Sequence, residues 1–205
     1  MKVSKGDIFE RVFVNEEVNL QIDQESGSHV KIHVINASFS ITVNQLGEGC
    51  HTEIYALEHL RGEENVTAET HVTHAVGGGS SNQLIKFMLD DNSRGRFIGD
   101  LKIAQDAQQT EAHQTNRNLL LSEEAERRTQ PQLEIYADDV KATHGASTGQ
   151  LDESALFYMQ QRGIDKQKAR QLLVNAFMKD VIETIGDQYA DVREQLLNTI
   201  DGVVE

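Results

Sequence analysis

The first part of the chain alternates apolar and polar residues with a period of two. The segment "VNLQI" places Val18, Leu20 and Ile22 on one face, and "VKIHV" and "FSITV" repeat the pattern. Alternation of this kind is typical of half-buried β-strands. The pattern predicts a mainly β unit over residues 1–150, with further strands centred near Ile54, Ala68, Phe87, Leu101, Leu120 and Ile135.

The connections between these strands favour a solenoid over a sandwich or an up-and-down barrel. Tight hairpins most often carry Asn-Gly or Asp-Gly, and neither dipeptide occurs before Asp201-Gly202. Polar connectors such as "NQLGEGC" and "DDNSRGR" join the strands instead. In a solenoid each strand continues into the next coil rather than folding back. No repeat in the sequence is regular enough to settle the choice.

The hydrophobic period changes after Gly149, where helical signals begin. Asp152 and Asp165 stand where helix N-caps are expected, and Gly163 and Gly186 stand where the two helices would end. The spacing of apolar residues in the second helix predicts one apolar stripe, formed by Ala169, Leu172, Leu173, Ala176, Phe177, Val181 and Ile185.

A third helix follows from apolar residues spaced four apart, Val192, Leu196 and Ile200. Residues 151–205 are therefore predicted to form a small α-helical domain after the β unit. An apolar stripe of this kind usually packs into a core, and part of it is a candidate to dock a partner.

Composition restricts the possible partners and the compartment. The chain has 205 residues and a net charge of −14, from 19 basic and 33 acidic side chains. Such a field repels nucleic acid and anionic lipid. The lone Cys50 excludes an internal disulfide, and the chain lacks an apolar run long enough for a signal peptide or a membrane span. A cytoplasmic protein without nucleic-acid or membrane partners is expected.

Two groups of residues that resemble ligand sites are weak candidates. The glycine-rich "HAVGGGSSNQ" lacks the Gly-Lys-Ser/Thr of a nucleotide-binding loop, so ATP would have to bind to another subunit. His71 and His74 face opposite sides of a strand. His29 and His33 share a face but lie about 13 Å apart. These four histidines are predicted to be ordinary surface residues.

Enzyme motifs are missing from the sequence, so an enzyme is not expected. It contains no Gly-x-Ser-x-Gly, His-Glu-x-x-His or Cys-x-x-Cys. Asp138 and Asp139 are adjacent and diverge on a strand, so they do not form an acid–base pair. A solenoid enzyme acting on polysaccharide stays open as an alternative if one of them faces a groove.

His144 lies among small residues in "LEIYADDVKATHGASTG", near the predicted change from strands to helices. A neutral imidazole is a good iron ligand, and small neighbours allow a cluster to approach. A single side chain does not hold a metal, so the remaining ligands would come from another chain. A structural role for His144 is the alternative.

Three segments resemble the SufB/SufD family of iron–sulfur cluster assembly proteins. They are "SSNQLIKFMLDDNSRGRFIGDLKIAQDAQQTEAHQTNRNLLLSEEAE", "TQPQLEIYADDVKATHGASTGQLDESALFYMQQRGI" and "KARQLLVNAF", together about half the chain. The resemblance implies a right-handed parallel β-helix followed by a small helical domain. It also implies a complex with SufB and with SufC, an ATPase of the ABC type, that builds clusters. ATP would enter only through SufC.

Within the family, Gly145 after His144 resembles the SufD branch. By this resemblance His144 is offered to a transient iron–sulfur cluster at the interface with SufB. The family's cysteine positions hold Met159 and Ala142 here, so this chain's matching positions cannot carry thiol chemistry. A purely structural scaffold that never touches metal is therefore the main alternative.

The resemblance also implies where partners would bind. The β-helix would pair with SufB, or with a second copy in isolation, and the helices would dock SufC. Relatives carry more β-helix, so the chain is expected to begin within that domain. The candidate dock residues, or their supporting core, are Leu156, Phe157, Arg162, Lys166, Leu173 and Phe177.

Overall fold

A computed structural model describes residues 1–201, including the side chains of residues 1–198. The described chain is mainly β, with twelve strands followed by three α-helices. The strands are β1 (Lys2–Val3), β2 (Ile8–Val14), β3 (Val18–Gln24), β4 (His29–Ile35), β5 (Phe39–Gln45), β6 (His51–Leu60), β7 (Asn65–His74), β8 (Ser80–Leu89), β9 (Arg94–Ile103), β10 (Thr110–Leu120), β11 (Glu126–Ile135) and β12 (Val140–Gln150).

The strands form two six-stranded sheets, and every pair of neighbouring strands is parallel. Sheet A has the order β1-β3-β5-β7-β9-β11, and sheet B has the order β12-β10-β8-β6-β4-β2. Because successive strands belong to opposite sheets, the chain winds through one coil after another without folding back. The predicted parallel solenoid is confirmed.

The core lies between the two sheets and follows from the alternation in the sequence. Inward-facing residues of each strand stack on those of the next coil, so that Ile41, Ile54, Ile85 and Phe97 are fully buried. Burial of one such side chain contributes roughly 1.5–3 kcal/mol. The outward residues of sheet A are polar apart from Ile98, whereas part of the outer face of sheet B is covered by the helices.

The helices begin where the sequence places their caps. Helix α1 (Glu153–Gln161) starts after Asp152, whose carboxylate accepts hydrogen bonds from two backbone N–H groups of the first turn. Helix α2 (Lys166–Ile182) starts after Asp165, whose side chain accepts from the N–H of Lys168.

The helical region then continues to the end of the described chain. Helix α2 ends at Ile182, earlier than the predicted end at Gly186, which instead precedes a 3₁₀ turn (Asp187–Tyr189). Helix α3 (Ala190–Asp201) follows. The part of the predicted helical domain beyond residue 201 lies outside the described residues. No helix among those described is long and apolar enough to cross a bilayer.

The predicted apolar stripe of α2 is wrong in two members. Leu172 is 39% exposed and Ala176 is also exposed. Apolar residues occur on more than one side of α2, and the outer face of sheet B packs against the side that carries Val174 and Met178. The periodicity alone could not tell which face meets the sheet. The buried apolar residues of α2 are Ala169, Val174, Met178, Val181 and Ile182.

Two of the four histidines predicted to be surface residues are fully buried. His74 faces the solenoid interior, where its Nε2 lies 2.9 Å from Ser81 Oγ. His33 faces outward, but the segment after α2 covers it, and its Nε2 lies 2.9 Å from Thr184 Oγ1. His71 is half-buried and faces outward, opposite to His74, as predicted.

The burial of His74 predicts a loss of stability in mild acid. Desolvation lowers the pKa of the His74 imidazole from 6.5 to about 4, so the folded ring stays neutral where the unfolded ring takes a proton. The neutral His74 ring therefore makes its full contribution to the free energy of unfolding above pH 6.5, and this contribution is lost as the pH falls towards 4. We expect a loss on the order of 2 kcal/mol by pH 4.5, at 1.36 kcal/mol per pKa unit.

Denaturant unfolding at pH 7.5 and pH 4.5 measures this loss for the native chain and for His74→Gln. The variant should lose less stability between the two pH values, because glutamine does not titrate. An equal loss in both proteins would show that His74 does not contribute to the acid sensitivity.

Candidate functional site at the open end of the solenoid

The last strand of each sheet has one side without a neighbouring strand in the described chain. These two strands, β11 and β12, form what is called the open end of the solenoid below. Strand β11 pairs with β9, and β12 pairs with β10. Nearly all of β12 is exposed, and its middle carries small residues, from Gly145 through Ala146 to Ser147. Free sheet edges of this kind are templates for strand addition.

The hydrogen-bond pattern identifies which backbone groups of β12 are free. The N–H of Glu111 donates to the C=O of Gly79, so the odd-numbered residues of β10 bond to β8. Even-numbered residues of β10 therefore bond to β12, which engages them through its own odd-numbered residues. The N–H and C=O groups of Ala142, His144, Ala146 and Thr148 consequently point to the free edge.

The free edge of β11 is less suited to pairing. The N–H of Glu126 donates to Ser93, so even-numbered residues of β11 face β9 and odd-numbered ones face the free edge. Pro131, the single proline of the chain, is among the latter and offers no donor there. Arg127 adds charge to the same edge. The free edge of β12 is therefore a better template for strand addition than the free edge of β11.

His144 lies in the middle of β12, in register with Gln114 of β10. Gln114 is buried in the interior, so the side chain of His144 belongs to the inward row of β12 at the open end. The ring is exposed and makes no side-chain hydrogen bond within the described residues. It is therefore accessible to whatever covers the end of the solenoid, and it is not buried in its own chain.

Neither Ala142 nor Met159 supplies a thiol to a metal at His144. Ala142 lies on β12 and packs partly against the core, and Met159 is half-buried on α1. No three His, Cys, Asp or Glu side chains converge to hold a metal in the part of the chain that is described. Any metal at His144 would need ligands from elsewhere.

The acidic pair and a cavity lined by polar residues lie apart from His144. Asp138 and Asp139 are exposed in the turn before β12, where the C=O of Asp139 accepts from the N–H of Gln109. The cavity, about 500 Å³, lies at a corner of the solenoid and is lined by Glu17 and Glu64 among other polar residues.

The six candidate dock residues fall into three groups by exposure. Phe157 is 63% exposed, and Arg162 and Lys166 are also exposed. Leu156 is buried, so it can serve only as supporting core. The half-buried residues are Leu173 and Phe177.

The exposed group includes a residue that the sequence reasoning missed. Tyr158 is 58% exposed, and the guanidinium of Arg162 lies 4.5 Å from the centre of its ring. Two adjacent exposed aromatic residues at 157 and 158 in "LFY" were the available signal. Phe157, Tyr158 and Arg162 are called the α1 patch below.

Helix α2 is fixed to sheet B by a buried lysine that the sequence reasoning also missed. Lys86 projects outward from β8, its side chain is 1% exposed, and its Nζ contacts the carboxylate of Asp180 and donates to the C=O of Phe177. Burial lowers the pKa of Lys86 from its usual value, and the carboxylate opposes this shift. A single lysine within the apolar run "LIKFML" was the available signal.

Contacts along the whole length of the helical region extend this attachment. Arg170 donates to the C=O of Leu121 near one end of the sheet, and Tyr189 donates to the C=O of Glu10 on β2 near the other. The helices therefore brace the outer face of sheet B from its last coils to its first.

Comparison with known proteins identifies the family of this chain. The family model for the SUF system FeS cluster assembly, SufBD core domain, matches residues 14–177. The chain therefore belongs to the SufB/SufD family of iron–sulfur cluster assembly proteins.

Individual relatives support the SufD-like character of the chain. It is 35% identical to the iron–sulfur cluster assembly protein SufD of Escherichia coli over 92% of this chain and 44% of that protein. It is 37% identical to an iron–sulfur cluster assembly SufBD family protein of Synechocystis, over 80% of this chain and 35% of the relative. For SufD of Bacillus subtilis the identity is 32%, over 80% and 37%. The chain thus spans less than half the length of these relatives.

Proposed function

We propose that the protein is a SufD-like component of an iron–sulfur cluster assembly scaffold and pairs with a SufB-like solenoid through β12. The observation that carries the proposal is the exposed His144 on a strand whose outer backbone groups are free. The partner adds a strand to this edge in the cytoplasm, and the imidazole lies in the seam between the two chains. A second copy of the chain occupies the same edge in the absence of SufB.

The cluster is the substrate of this assembly and is bound only transiently. His144 supplies one neutral nitrogen ligand, and the partner supplies the others, since no group of three His, Cys, Asp or Glu side chains among the described residues could hold the metal by itself. Ala142 and Met159 carry no thiol. The chain therefore positions the cluster and supplies one ligand to it, and the partner carries out the sulfur chemistry.

The helical domain docks the SufC-like ATPase, which alone binds ATP. The α1 patch is the most exposed aromatic surface of the described helices, and Lys166 adds a positive charge near the start of α2. Aromatic and arginine side chains are enriched at protein interfaces. Leu156 is buried in α1, Leu173 is half-buried on α2, and Phe177 packs against sheet B, so these three residues belong to the supporting core.

A scaffold that never contacts metal is the second candidate, and Ala142 and Met159 favour it. It uses the same two docking surfaces but gives His144 no ligand role. The polysaccharide-acting enzyme receives no support from the family match.

The deciding experiment reconstitutes anaerobic cluster formation with the full-length protein and its SufB-like and SufC-like partners. His144→Ala should reduce the initial rate at least about tenfold while all three proteins still co-purify. Phe157→Asp combined with Arg162→Glu should instead release the ATPase and leave the solenoid pair intact. An unchanged rate for His144→Ala would favour the metal-free scaffold, and ATPase retained by the double variant would place its dock elsewhere.

A further inference from the structure

Two glutamines form a column inside the solenoid that leads to His144. Gln83 on β8, Gln114 on β10 and His144 on β12 are register partners on consecutive strands of sheet B. Neighbouring strands lie roughly 4.8 Å apart, so the three side chains are stacked one above another on the inward row. Below Gln83 the column continues as apolar Ile54.

The amide of Gln114 has one satisfied and one unsatisfied end. Its Nε2 donates to Oε1 of Gln83 at 3.4 Å, one coil below. Its Oε1 has no hydrogen-bond partner, although the residue is only 1% exposed. A buried carbonyl oxygen without a partner is unfavourable, so Oε1 of Gln114 is available to a donor from the neighbouring coil.

The opposite sheet leaves space for this amide. A Cβ added to Gly99 on β9 would lie 2.6 Å from Nε2 of Gln114 and 2.5 Å from the ring of Phe97. Glycine at this position therefore permits the buried amide to lie against the backbone of β9. The column is a specific arrangement, because an apolar side chain such as Ile54 fills the same row one coil lower.

An imidazole that binds a metal through one nitrogen commonly donates its other N–H to a carbonyl or carboxylate, which fixes the tautomer and the ring orientation. The neighbour of His144 in its own column is Gln114, whose Oε1 is an unused acceptor of this type. Nδ1 is the ring nitrogen closer to the strand backbone, and Nε2 is at the ring tip.

We infer that Gln114 is the positioning residue for His144: once the partner covers the open end, Oε1 of Gln114 accepts a hydrogen bond from Nδ1–H, which turns Nε2 of His144 towards the partner. This inference rests on the proposed ligand role of His144 and adds the residue that selects its tautomer. Gln83 holds the amide of Gln114 from below, and Gly99 gives it room. The partner that covers the open end excludes water from this hydrogen bond.

The test uses the full-length protein in its assembly with the SufB-like partner, labelled with ¹⁵N-histidine. Long-range ¹H–¹⁵N spectra report which nitrogen of His144 carries the proton, with His144→Ala identifying the signal. A free imidazole prefers the Nε2–H form, so a dominant Nδ1–H form is the expected result for the native protein. Gln114→Leu should return the ring to the Nε2–H form, and Gln114→Glu, which keeps an acceptor, should restore Nδ1–H.

Gln24→Leu is the matched control, because it removes an equally buried glutamine whose partners, Ser28, His51 and Thr52, contact neither Gln114 nor His144. It should lower stability as Gln114→Leu does but leave the tautomer unchanged. An Nε2–H form in the native assembly, or a tautomer that Gln114→Leu leaves unchanged, would overturn the inference.

Cluster formation separates this inference from the proposed function. Gln114→Leu should slow the initial rate about tenfold, and Gln114→Glu should recover most of it. If His144→Ala left the rate unchanged while the tautomer still responded to Gln114, the ligand role would fail and the positioning contact would stand.

Discussion

Ala146→Pro should weaken association with the partner solenoid by about 100-fold, since an interfacial acceptor left unpaired costs on the order of 1–3 kcal/mol and the proline ring obstructs the incoming strand. The N–H of Ala146 points to the free edge of β12, so the substitution removes a donor that the chain itself does not use. Proline is tolerated at such a position, as Pro131 on the free edge of β11 illustrates.

The measurement combines an association constant for the full-length pair with the melting temperature of the isolated chain. Ala146→Ser keeps the N–H and should associate normally. Ser147→Pro removes a donor that bonds to β10 and should lower the melting temperature, whereas Ala146→Pro should leave it nearly unchanged. Normal association of Ala146→Pro would mean that no strand is added at this edge.

Asp180→Ala should destabilise the chain by about 3 kcal/mol, because it leaves the ammonium of Lys86 buried without its carboxylate. Lys86 is 1% exposed, and its remaining contacts are the C=O and the ring of Phe177. The carboxylate itself is 47% exposed, which reduces the expected loss below that of a fully buried pair. Chemical denaturation at neutral pH measures the change.

The double variant Lys86→Met with Asp180→Ala provides the control. It removes both charges, and it should recover most of the stability because methionine fills the apolar site without a desolvation penalty. A double variant as unstable as Asp180→Ala would show that the aspartate stabilises the helix in another way.

The strands of sheet A were predictable because each buries only one face. Alternation in segments such as "VNLQI" depends on local sequence alone, and the absence of tight hairpin dipeptides favoured coils over hairpins. The helix starts were predictable for a similar reason, since an aspartate cap acts within its own first turn. These features need no knowledge of distant contacts.

The errors arose where distant parts of the chain meet. His33 and Lys86 face outward from their strands and look like surface residues, but the helices that follow more than ninety residues later cover them. The exposed Leu172 and buried Met178 of α2 are equally apolar, and only the sheet decides between them. Local periodicity carries no information about which outer face a later helix will cover.

For the candidate site, the sequence predicted the residue but not its surroundings. His144 was singled out for its small neighbours, and the structure places it on a free edge strand as an exposed ring. Gln114 went unnoticed, because its relation to His144 depends on a register across thirty residues of sequence. The neighbours in such a column can be identified only when the register between successive coils is known.

Cross-linking from the open end tests the central claim most directly. Cys50 is fully buried, so a cysteine introduced by Ala146→Cys would be the accessible thiol of the described residues, with Asn19→Cys on the exposed face of sheet A as the comparison. Each variant is labelled before the partner is added. A short thiol-reactive photo-cross-linker should join Ala146→Cys to the partner solenoid and leave Asn19→Cys unjoined. Efficient cross-linking from Asn19→Cys, with none from Ala146→Cys, would place the partner on the face of sheet A and contradict the account.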